Sequence, residues 1–544
     1  MKSDRWRWTR LGLCLLPLCI VILAGCGDTP TPTAPEVQAK APERGGTLVL
    51  GSISDVDSWN EYLSQQSFAG NLLRRIYLRL AQPLADLQEH PQSYGPQLAE
   101  SWFFSEDGLT LTFNLREANW SDGRPVTAGD VRFTWLAQTS PDVPWANAAS
   151  KQQISDVEVL DSRTVAFHFT NVYPYRFVDA VEGGILPEHI FSQVEFKDWT
   201  THDWSKVTVG SGPFLLQRHA PGNEIVLQRN PNYFDARYPI LDRVVVRIVP
   251  DVTNLLTQLA AGEIDYLEGI PPREAQRLAS KTDLSLVAFD YPKYDYIGWN
   301  GSRAPFDDPE LRRAMTLAIN RDALVEELLY GYGRVSKGPL LSFWWSSNGS
   351  VEAWPYQPDE ARRILSEAGY ATTDRNGRLS GDRQLELELI TNGGNRLREE
   401  MLVKIQAQLA LVGVQANVRV LEMRALRQQV GSGDYDAYLG GWVFDGKADL
   451  RQLFGSQSVL PHGMNVVHYD SQEVDQLLDQ VDDAENWATM KQKLDAIQYR
   501  IHEDQPYTFL YETKRVAAHG RRLSGVQIDI TSDPLARLEQ YRVD

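Results

Sequence analysis

Short stretches of alternating apolar and polar residues recur along the chain and predict half-buried β-strands. Residues 109–115 and 164–169 show this period of two most plainly, because a strand turns successive side chains to opposite faces. A glycine pair followed by β-forming residues predicts the first strand at 45–51. We therefore expect folded structure to begin there.

Other segments repeat apolar residues at the spacing of one helix face. Asp308, Pro309 and Glu310 supply a capping side chain, a preset φ and an acidic first turn, and so predict the start of a helix. Asp359 is expected to cap another helix, which Gly369 ends. Further helices are expected at 397–412 and 474–481, and further strands at 385–390 and 414–420. This mixture of strands and helices predicts an α/β or α+β architecture.

The N-terminus has the pattern of an export signal. Basic residues precede an apolar run at 11–24, which is 14 residues long. About 20 residues are needed to span a bilayer as a helix, whereas the core of a signal peptide is this short. Small residues then lead to Cys26 in the tetrapeptide Leu-Ala-Gly-Cys, which resembles a bacterial lipobox. We therefore predict a signal peptide at 1–25 and a lipid attached to Cys26.

Cleavage at this position leaves Cys26 as the one cysteine of the mature chain, because Cys14 and Cys19 lie within the predicted signal peptide. No disulfide is then expected. Residues 26–44 are rich in Thr, Pro and Ala and have no apolar periodicity, so a lipidated spacer is predicted there. The alternative is a short N-terminal membrane anchor with buried cysteines.

Size and charge narrow the class of protein. A chain of 544 residues is too long for one hydrophobic core and predicts at least two lobes, and 42% hydrophobic residues are typical of a globular protein. The formal net charge of −18 disfavours nucleic acid and anionic membrane surfaces as partners, because both are negatively charged. Membrane contact is therefore expected through the lipid anchor.

Catalytic and metal-binding motifs are not apparent in the sequence. It has no Gly-x-Ser-x-Gly elbow, no phosphate-binding loop that ends in Lys-Ser or Lys-Thr, and no His-Glu-x-x-His. His462 and His468 flank Met464, but their loop position and their spacing of six residues disfavour a chelate on a helix. We expect no enzyme, no metal site and no cofactor, although the sequence leaves open a carboxylate pair assembled from distant residues.

Several short blocks follow one another in an order that resembles a known family. They are 45–50, 98–102, 113–116, 120–131, 210–214, 229–234, 260–265 and 300–321. Together they resemble the family 5 bacterial extracellular solute-binding proteins, which include oligopeptide, dipeptide and nickel receptors. Thr127 and Asp130 have the form of a capping box, so the blocks are interpreted first as scaffold and second as ligand contacts.

The resemblance implies a fold class and domain limits. The fold class is α/β, a two-lobed periplasmic-binding-protein clamp of type II-like form with an extra α+β subdomain in the first lobe. Lobe I is expected to combine 45–81, 208–293 and 506–544. Its subdomain is expected at 82–207, and lobe II at 294–505. In such a clamp the ligand lies between the lobes, which close around it by a hinge.

The resemblance also implies candidate ligand-binding residues. Residues 438–445 are similar to the family's Trp-x-x-Asp segment, whose Asp pairs with the amino terminus of a bound peptide, and Trp442 and Asp445 match it. The next residues, Gly446 and Lys447, depart from the family's pattern. Lys447 either neutralises Asp445 or reshapes the pocket. The alternative is a buried strand end with a structural Asp.

Two further places are candidates for ligand contact. Phe343 and Trp344 follow a Gly-Pro pair where the family has a loop near the ligand, so they are candidates for aromatic stacking. Asn300 ends an expected strand and is another candidate. Structural packing is the alternative for all three residues.

The function implied by the resemblance is that of an extracytoplasmic receptor. Such a receptor captures a small solute, with peptide the leading class, and delivers it to an ABC importer permease. A metal chelate or a sugar stays open as the ligand. The protein is expected to be a monomer, anchored by lipid on the periplasmic side or the outer face of the cytoplasmic membrane. The alternatives are a peptide sensor or chaperone without a permease, and a hydrolase.

Overall fold

The computed structural model describes residues 44–207, 209–374, 376–444, 446–528 and 533–544. The predicted signal peptide, the predicted spacer as far as residue 43, Cys26 and Asp445 lie outside these described residues. Glu43–Asp544 form one compact unit. None of its described helices combines the length and the apolar character that crossing a membrane requires.

The described residues contain 21 strands. In chain order they are β1 (Thr47–Ser52), β2 (Ala81–Pro83), β3 (Tyr94–Pro96), β4 (Ala99–Phe104), β5 (Thr110–Leu115), β6 (Ile154–Asp161), β7 (Thr164–Phe169), β8 (Phe214–Ala220), β9 (Glu224–Arg229), β10 (Arg243–Ile248), β11 (Tyr266–Glu268), β12 (Leu284–Trp299), β13 (Gly333–Val335), β14 (Thr372–Thr373), β15 (Leu379–Ser380), β16 (Glu386–Asn392), β17 (Gln415–Leu421), β18 (Ala437–Val443), β19 (Tyr507–Gly520), β20 (Leu523–Ser524) and β21 (Arg542–Val543). The five predicted strands, which correspond to β1, β5, β7, β16 and β17, are confirmed with small shifts at their ends.

Helices alternate with these strands along most of the chain. They are α1 (Ser67–Ile76), α2 (Ala128–Thr139), α3 (Arg176–Val181), α4 (Glu188–Phe191), α5 (Val252–Ala261), α6 (Pro272–Leu278), α7 (Pro309–Ala318), α8 (Arg321–Leu329), α9 (Pro358–Glu367), α10 (Arg396–Ala410), α11 (Met423–Gly431), α12 (Arg451–Phe454), α13 (Gln472–Asp482) and α14 (Trp487–Asp504). The helices predicted at 397–412 and 474–481 are confirmed as α10 and α13.

Local capping sets the start of two helices as predicted. The Asp308 carboxylate accepts a hydrogen bond from Glu310 N at 2.9 Å at the start of α7. Thr127 and Asp130 form the capping box of α2, with each side chain bonded to the backbone of the other residue. These bonds satisfy backbone N–H groups that have no partner inside the helix.

The start of α9 differs from the prediction. Gln357 is its N-cap residue and Asp359 lies in the first turn, so the expectation that Asp359 caps this helix is wrong. Pro358 takes the first helical position, where the N–H that proline lacks has no helical partner anyway. Gly369 follows the helix at a φ of +82°, the left-handed conformation that glycine adopts at helix ends, as predicted.

An eleven-stranded mixed sheet runs through the described residues in the order β17-β16-β18-β12-β19-β11-β1-β10-β9-β8, and β13 also pairs with β19. β1 is parallel to β10 and β11, and β16 is parallel to β17 and β18. A separate antiparallel sheet, β4-β5-β7-β6, forms the core of the subdomain. The mixture of parallel strands and helices confirms the α/β class.

Separate hydrophobic cores divide the compact unit into two lobes. The main core of lobe I includes Leu48 on β1 and Phe113 in the subdomain sheet. Lobe II has one core around Leu389 and Ile297 and another around Tyr296. Ile297 and Tyr296 are neighbours on β12 and belong to different cores, because alternate side chains face opposite sides of the sheet. The residue limits expected for each lobe stay a prediction.

Strands β12 and β19 run from one lobe into the other. They pair antiparallel over almost their whole length, but their register is interrupted between Asp290 and Tyr294, and it shifts again between Asp295 and Tyr296. Such an irregularity bends a strand and increases its twist. We therefore place the junction of the two lobes at residues 291–293 of β12.

A buried charged cluster lies on the lobe II side of this junction. Asp295 is 1% exposed, lies 2.6 Å from Arg398 Nη2 and 3.1 Å from Lys293 Nζ, and also accepts a hydrogen bond from the Tyr511 hydroxyl. Burial alone raises the pKa of Asp295, but Lys293 and Arg398 outweigh burial and hold the pKa below its usual value. Gly441 packs so closely on this carboxylate that a Cβ there clashes with it.

We expect Asp295→Asn to destabilise the protein by about 3–5 kcal/mol, because it leaves Arg398 buried without its partner. The lowered pKa means that this contribution is present above about pH 4 and is lost as the pH falls further. Urea denaturation followed by tryptophan fluorescence at pH 7 measures the change. The control is Asp283→Asn, whose carboxylate is 82% exposed and pairs with Arg521, and which should change stability little. Equal stability of the two variants contradicts this expectation.

Candidate ligand-binding site

A cavity of about 320 Å³ lies between the two lobes. Small-molecule sites occupy roughly 300–1,000 Å³, so this volume is at the lower end of the usual range. Its wall is polar and aromatic and comes from both lobes. Arg75, Tyr94 and Glu182 are on the lobe I side, Tyr291 is at the β12 junction, and Phe444 is on the lobe II side.

Lys447, which follows β18 in lobe II, connects that lobe to the subdomain by ion pairs. Its Nζ is 2.6 Å from Asp179 Oδ1 and 3.6 Å from Glu182 Oε2. Burial raises the pKa of Asp179 even though Lys447 opposes the change. Burial also acts to raise the pKa of Glu182, but Lys447, Lys151 and Arg79 outweigh it and the pKa is lowered. The subdomain therefore presents an ionised carboxylate to Lys447 at the edge of the cavity.

Polar and aromatic contacts join the lobes beside this ion pair. Ala448 N donates to the Tyr175 hydroxyl at 2.9 Å, and Trp345 N donates to Leu87 O at 2.9 Å. The Trp487 ring meets the rings of Tyr175 and Trp345 edge-on, with centroids 4.8 and 5.5 Å apart. These contacts are possible only when the lobes are close together.

Arginines dominate the lobe I side of the wall. They are Arg74, Arg75, Arg79 and Arg515. Arg75 Nη2 is 2.7 Å from Asp533 Oδ2, and Arg75 Nη1 donates to Leu535 O at 2.8 Å. Arg515 Nε is 3.0 Å from Glu268 Oε1, and its guanidinium lies 4.7 Å from the centre of the Tyr291 ring. Burial raises the pKa of Glu268, and Arg515 opposes this rise.

The segment at 438–445 reaches the cavity through its end. Val443 and Phe444 line the wall. Trp442, one residue earlier, donates from Nε1 to the Tyr507 hydroxyl at 3.2 Å and stacks on Tyr296. Asp445 lies outside the described residues. That Trp442 and Asp445 contact the ligand stays a prediction.

The loop that carries Phe343, Trp344 and Trp345, here called the aromatic loop, also reaches the cavity. It does so through Trp345, the neighbour of the two predicted residues. Trp345 lines the wall, whereas Trp344 is 4% exposed and packs against Phe444. Phe343 is half-buried beneath the Arg334 guanidinium. Asn300 is fully buried, and its side-chain amide donates to two backbone carbonyls of lobe II at 2.8 and 2.9 Å. Ligand contact by Trp344, Phe343 and Asn300 stays a prediction.

Sequence reasoning missed the arginines and the subdomain carboxylates. Arg74, Arg75 and Arg79 stand within six residues of each other in a chain of net charge −18, and this local excess of positive charge was the available signal. Asp179 and Glu182 had no such signal, because nothing in their local pattern distinguishes them from other acidic residues of the chain.

A second cavity of about 330 Å³ lies within lobe II and is lined partly by His468. Two of its charged groups, Asp504 and Arg500, pair with each other. Asp504 accepts a hydrogen bond from the Tyr469 hydroxyl at 2.6 Å and pairs with Arg500 at 2.8 Å. Among the residues with described positions, no three His, Cys, Asp or Glu side chains are grouped to hold a metal ion.

Comparison with known proteins places the chain in a family. A sequence profile described as "Bacterial extracellular solute-binding proteins, family 5 Middle" matches residues 93–458. The oligopeptide-binding protein AppA of Bacillus subtilis is 29% identical over 519 residues, which cover 94% of each chain. The heme-binding protein A of Haemophilus influenzae is 27% identical over 472 residues, which cover 80% of this chain and 81% of that protein.

A solved structure is also similar over nearly the whole fold. The Bacillus subtilis AppA structure in complex with a nonapeptide has a TM-score of 0.75 at 28% identity, and the match covers 92% of this chain and 100% of that chain. The two-lobed clamp implied by the sequence is thereby confirmed. The chain is a solute-binding receptor and not an enzyme, and it belongs to family 5 of the bacterial extracellular solute-binding proteins.

Proposed function

We propose that this protein is an extracytoplasmic receptor that encloses a short peptide or a related small solute between its lobes and delivers it to the permease of an ABC importer. The observation that carries the proposal is the cavity whose wall is shared by both lobes and whose edge is bridged by Lys447. A solute bound there contacts both lobes at once. It therefore favours the closed arrangement over an open one, which is the difference a permease can recognise.

The size of the cavity supports a small solute. Its volume of about 320 Å³ is at the lower end of the range of roughly 300–1,000 Å³ in which small-molecule sites fall. Sites in this range enclose drug-sized ligands, which are smaller than the nonapeptide in the AppA complex. We therefore propose a di- or tripeptide, or a solute of similar size, as the ligand.

Closure should depend on Lys447. We expect Lys447→Gln to weaken binding of the copurified solute about tenfold, because the closed form loses its ion pairs with Asp179 and Glu182. The measurement is calorimetry, together with small-angle scattering that follows the fall in radius of gyration on ligand addition. Lys404→Gln, which removes a surface ion pair with Glu327 within lobe II, is the control. An unchanged radius at saturating ligand contradicts closure around the ligand, and equal affinity of both variants contradicts the role of Lys447 in closure.

We further propose that Asp445 and Trp442 contact the amino end of the ligand. Phe343, Trp344 and Asn300 are proposed as weaker contacts. Asp445→Asn should reduce affinity for a peptide with a free amino terminus about tenfold or more, and Trp442→Phe should reduce it less, since stacking is only partly lost. Calorimetry with one defined peptide compares the two variants. A larger loss for Trp442→Phe excludes the amine contact.

We also propose that the protein is anchored to the membrane by a lipid on Cys26 and that it is a monomer. The tetrapeptide that ends at Cys26 supports acylation, and the spacer after it gives the receptor reach above the membrane. Cys26→Ser should release the protein into the soluble fraction or leave the precursor uncleaved. Cell fractionation and the mass of the wild-type N-terminal peptide test this. Membrane retention of the variant, with no acyl mass on the wild type, contradicts the anchor.

A further inference from the structure

We infer that Arg334 is a positioning residue of the binding site, because it pairs with Asp290 of lobe I and with Glu512 of lobe II across the break in β12. Through these two carboxylates it holds the angle between the lobes and fixes the aromatic loop, which forms part of the cavity wall. The inference rests on the proposed function, since it takes the cavity between the lobes as the solute site. It goes further by naming the side chain that joins the lobe junction to the wall of that site.

Three strands lie side by side where the lobes join. Between Asp290 and Tyr294, β12 has three residues where β19 has one. On the other edge of β19, strand β13 pairs at the same level and places Arg334 opposite Glu512. Residues directly opposite each other in antiparallel strands have their side chains on the same face of the sheet. Arg334 and Glu512 therefore lie together on one face at the lobe junction.

The Arg334 guanidinium pairs with a carboxylate from each lobe. Its Nη2 pairs with Asp290 Oδ1, and its Nε is 3.3 Å from Glu512 Oε2. Asp290 follows Phe289, which belongs to the main core of lobe I, whereas Glu512 follows Tyr511, which belongs to a core of lobe II. A guanidinium presents five N–H donors in a fixed plane, so one side chain can hold two carboxylates at a set spacing. A change in the angle between the lobes therefore changes this pairing.

Glu512 connects Arg334 to the cavity wall. Its side chain is 1% exposed, and its two oxygens accept hydrogen bonds from Ser342 N at 2.7 Å and from the Ser342 hydroxyl at 2.6 Å. Burial raises the pKa of Glu512, and its bonds to Ser342 and the charge of Arg334 oppose this rise. Ser342 precedes Phe343, whose ring centre lies 5.3 Å from the Arg334 guanidinium, and the same loop places Trp345 on the cavity wall. The position of the loop thus depends on Glu512 and Arg334.

The pair with Asp290 can be removed without unfolding the protein. The side chains of Arg334 and Asp290 are 37% and 20% exposed, so water reaches both. Ion pairs that are open to water contribute little to the total stability of a protein. The open and closed forms of a clamp differ by only a few kcal/mol, however, so a small contribution changes their populations. The lobe angle is therefore expected to respond where overall stability does not.

The test uses three variants that interrupt these contacts at different points. Asp290→Asn removes the lobe I contact of Arg334, Ser342→Ala removes a donor of the aromatic loop, and Arg334→Gln removes the residue between them. Small-angle scattering measures the radius of gyration of protein purified with its solute and of protein freed of it. Hydrogen exchange followed by mass spectrometry measures the protection of backbone amides at 338–345.

We expect Asp290→Asn and Arg334→Gln to have a larger radius of gyration than wild type in at least one of the two preparations, because the closed form loses a contact between the lobes. Exchange at 338–345 should be roughly tenfold faster in Ser342→Ala and in Arg334→Gln, and unchanged in Asp290→Asn. The matched control is Arg396→Gln. It removes an exposed ion pair with Glu400 on α10, 2.7 Å long, and should change neither quantity.

Two results overturn the inference. One is a wild-type radius for Asp290→Asn in both preparations, and the other is wild-type exchange at 338–345 in Arg334→Gln. Should Arg334→Gln fail to fold, Asp290→Asn and Ser342→Ala decide, and wild-type behaviour of either one overturns the inference. A wild-type radius that is the same with and without solute contradicts closure, and with it the proposed function. The comparison of each variant with wild type then still decides the role of Arg334.

Discussion

The pairing of β12 with β19 determines where the lobes stand relative to the binding site. The two strands run through both lobes, and their register breaks between Asp290 and Tyr294. On one side of the break, Phe289 belongs to the core of lobe I, and on the other, Tyr294 belongs to a core of lobe II. Tyr291 lines the cavity at the break itself. The ligand site thus lies where the strands change lobes, and a change of angle between the lobes changes the cavity directly.

A second constraint is the free-energy cost of burying charged groups when the lobes close. Taking an ion from water costs free energy that only a well-placed partner offsets. The cavity follows this rule on both sides, since Asp533 pairs with Arg75 and Asp179 pairs with Lys447. The Lys447 pair forms only across the lobes, so its favourable energy belongs to the closed form. The pair of Arg75 with Asp533 lies within lobe I and shapes the cavity wall. The pair of Lys447 with Asp179 joins the two lobes and favours the closed form.

Features set by neighbouring residues could be read from the sequence. The cap of α7 by Asp308 and the capping box at Thr127 involve bonds within three residues, and both are present. Strands β5 and β7 lie where the alternation of apolar and polar residues predicts them. The prediction that Asp359 caps α9 was wrong, because Pro358 occupies the first helical position, which proline favours.

The site itself depends on contacts that no local pattern encodes. Lys447 and Asp179 are 268 residues apart in sequence, and the lobes bring them together. Phe444 and Trp345, which line the cavity, lie next to residues that the family resemblance named as candidates. The resemblance did not resolve which side chain of each segment faces the ligand, because that depends on how the end of β18 and the aromatic loop pack. The pairing of Lys447 with Asp179 could not be predicted without knowing where the subdomain lies.

The central claim is that a small solute is held in the cavity between the lobes. A crystal structure of the protein purified with its own solute tests this most directly. We expect electron density for the solute in the cavity between the lobes, in contact with Phe444 of lobe II and with residues of lobe I that line the same cavity. Solute density in the lobe II cavity beside Asp504, or on the outer surface of either lobe, contradicts it.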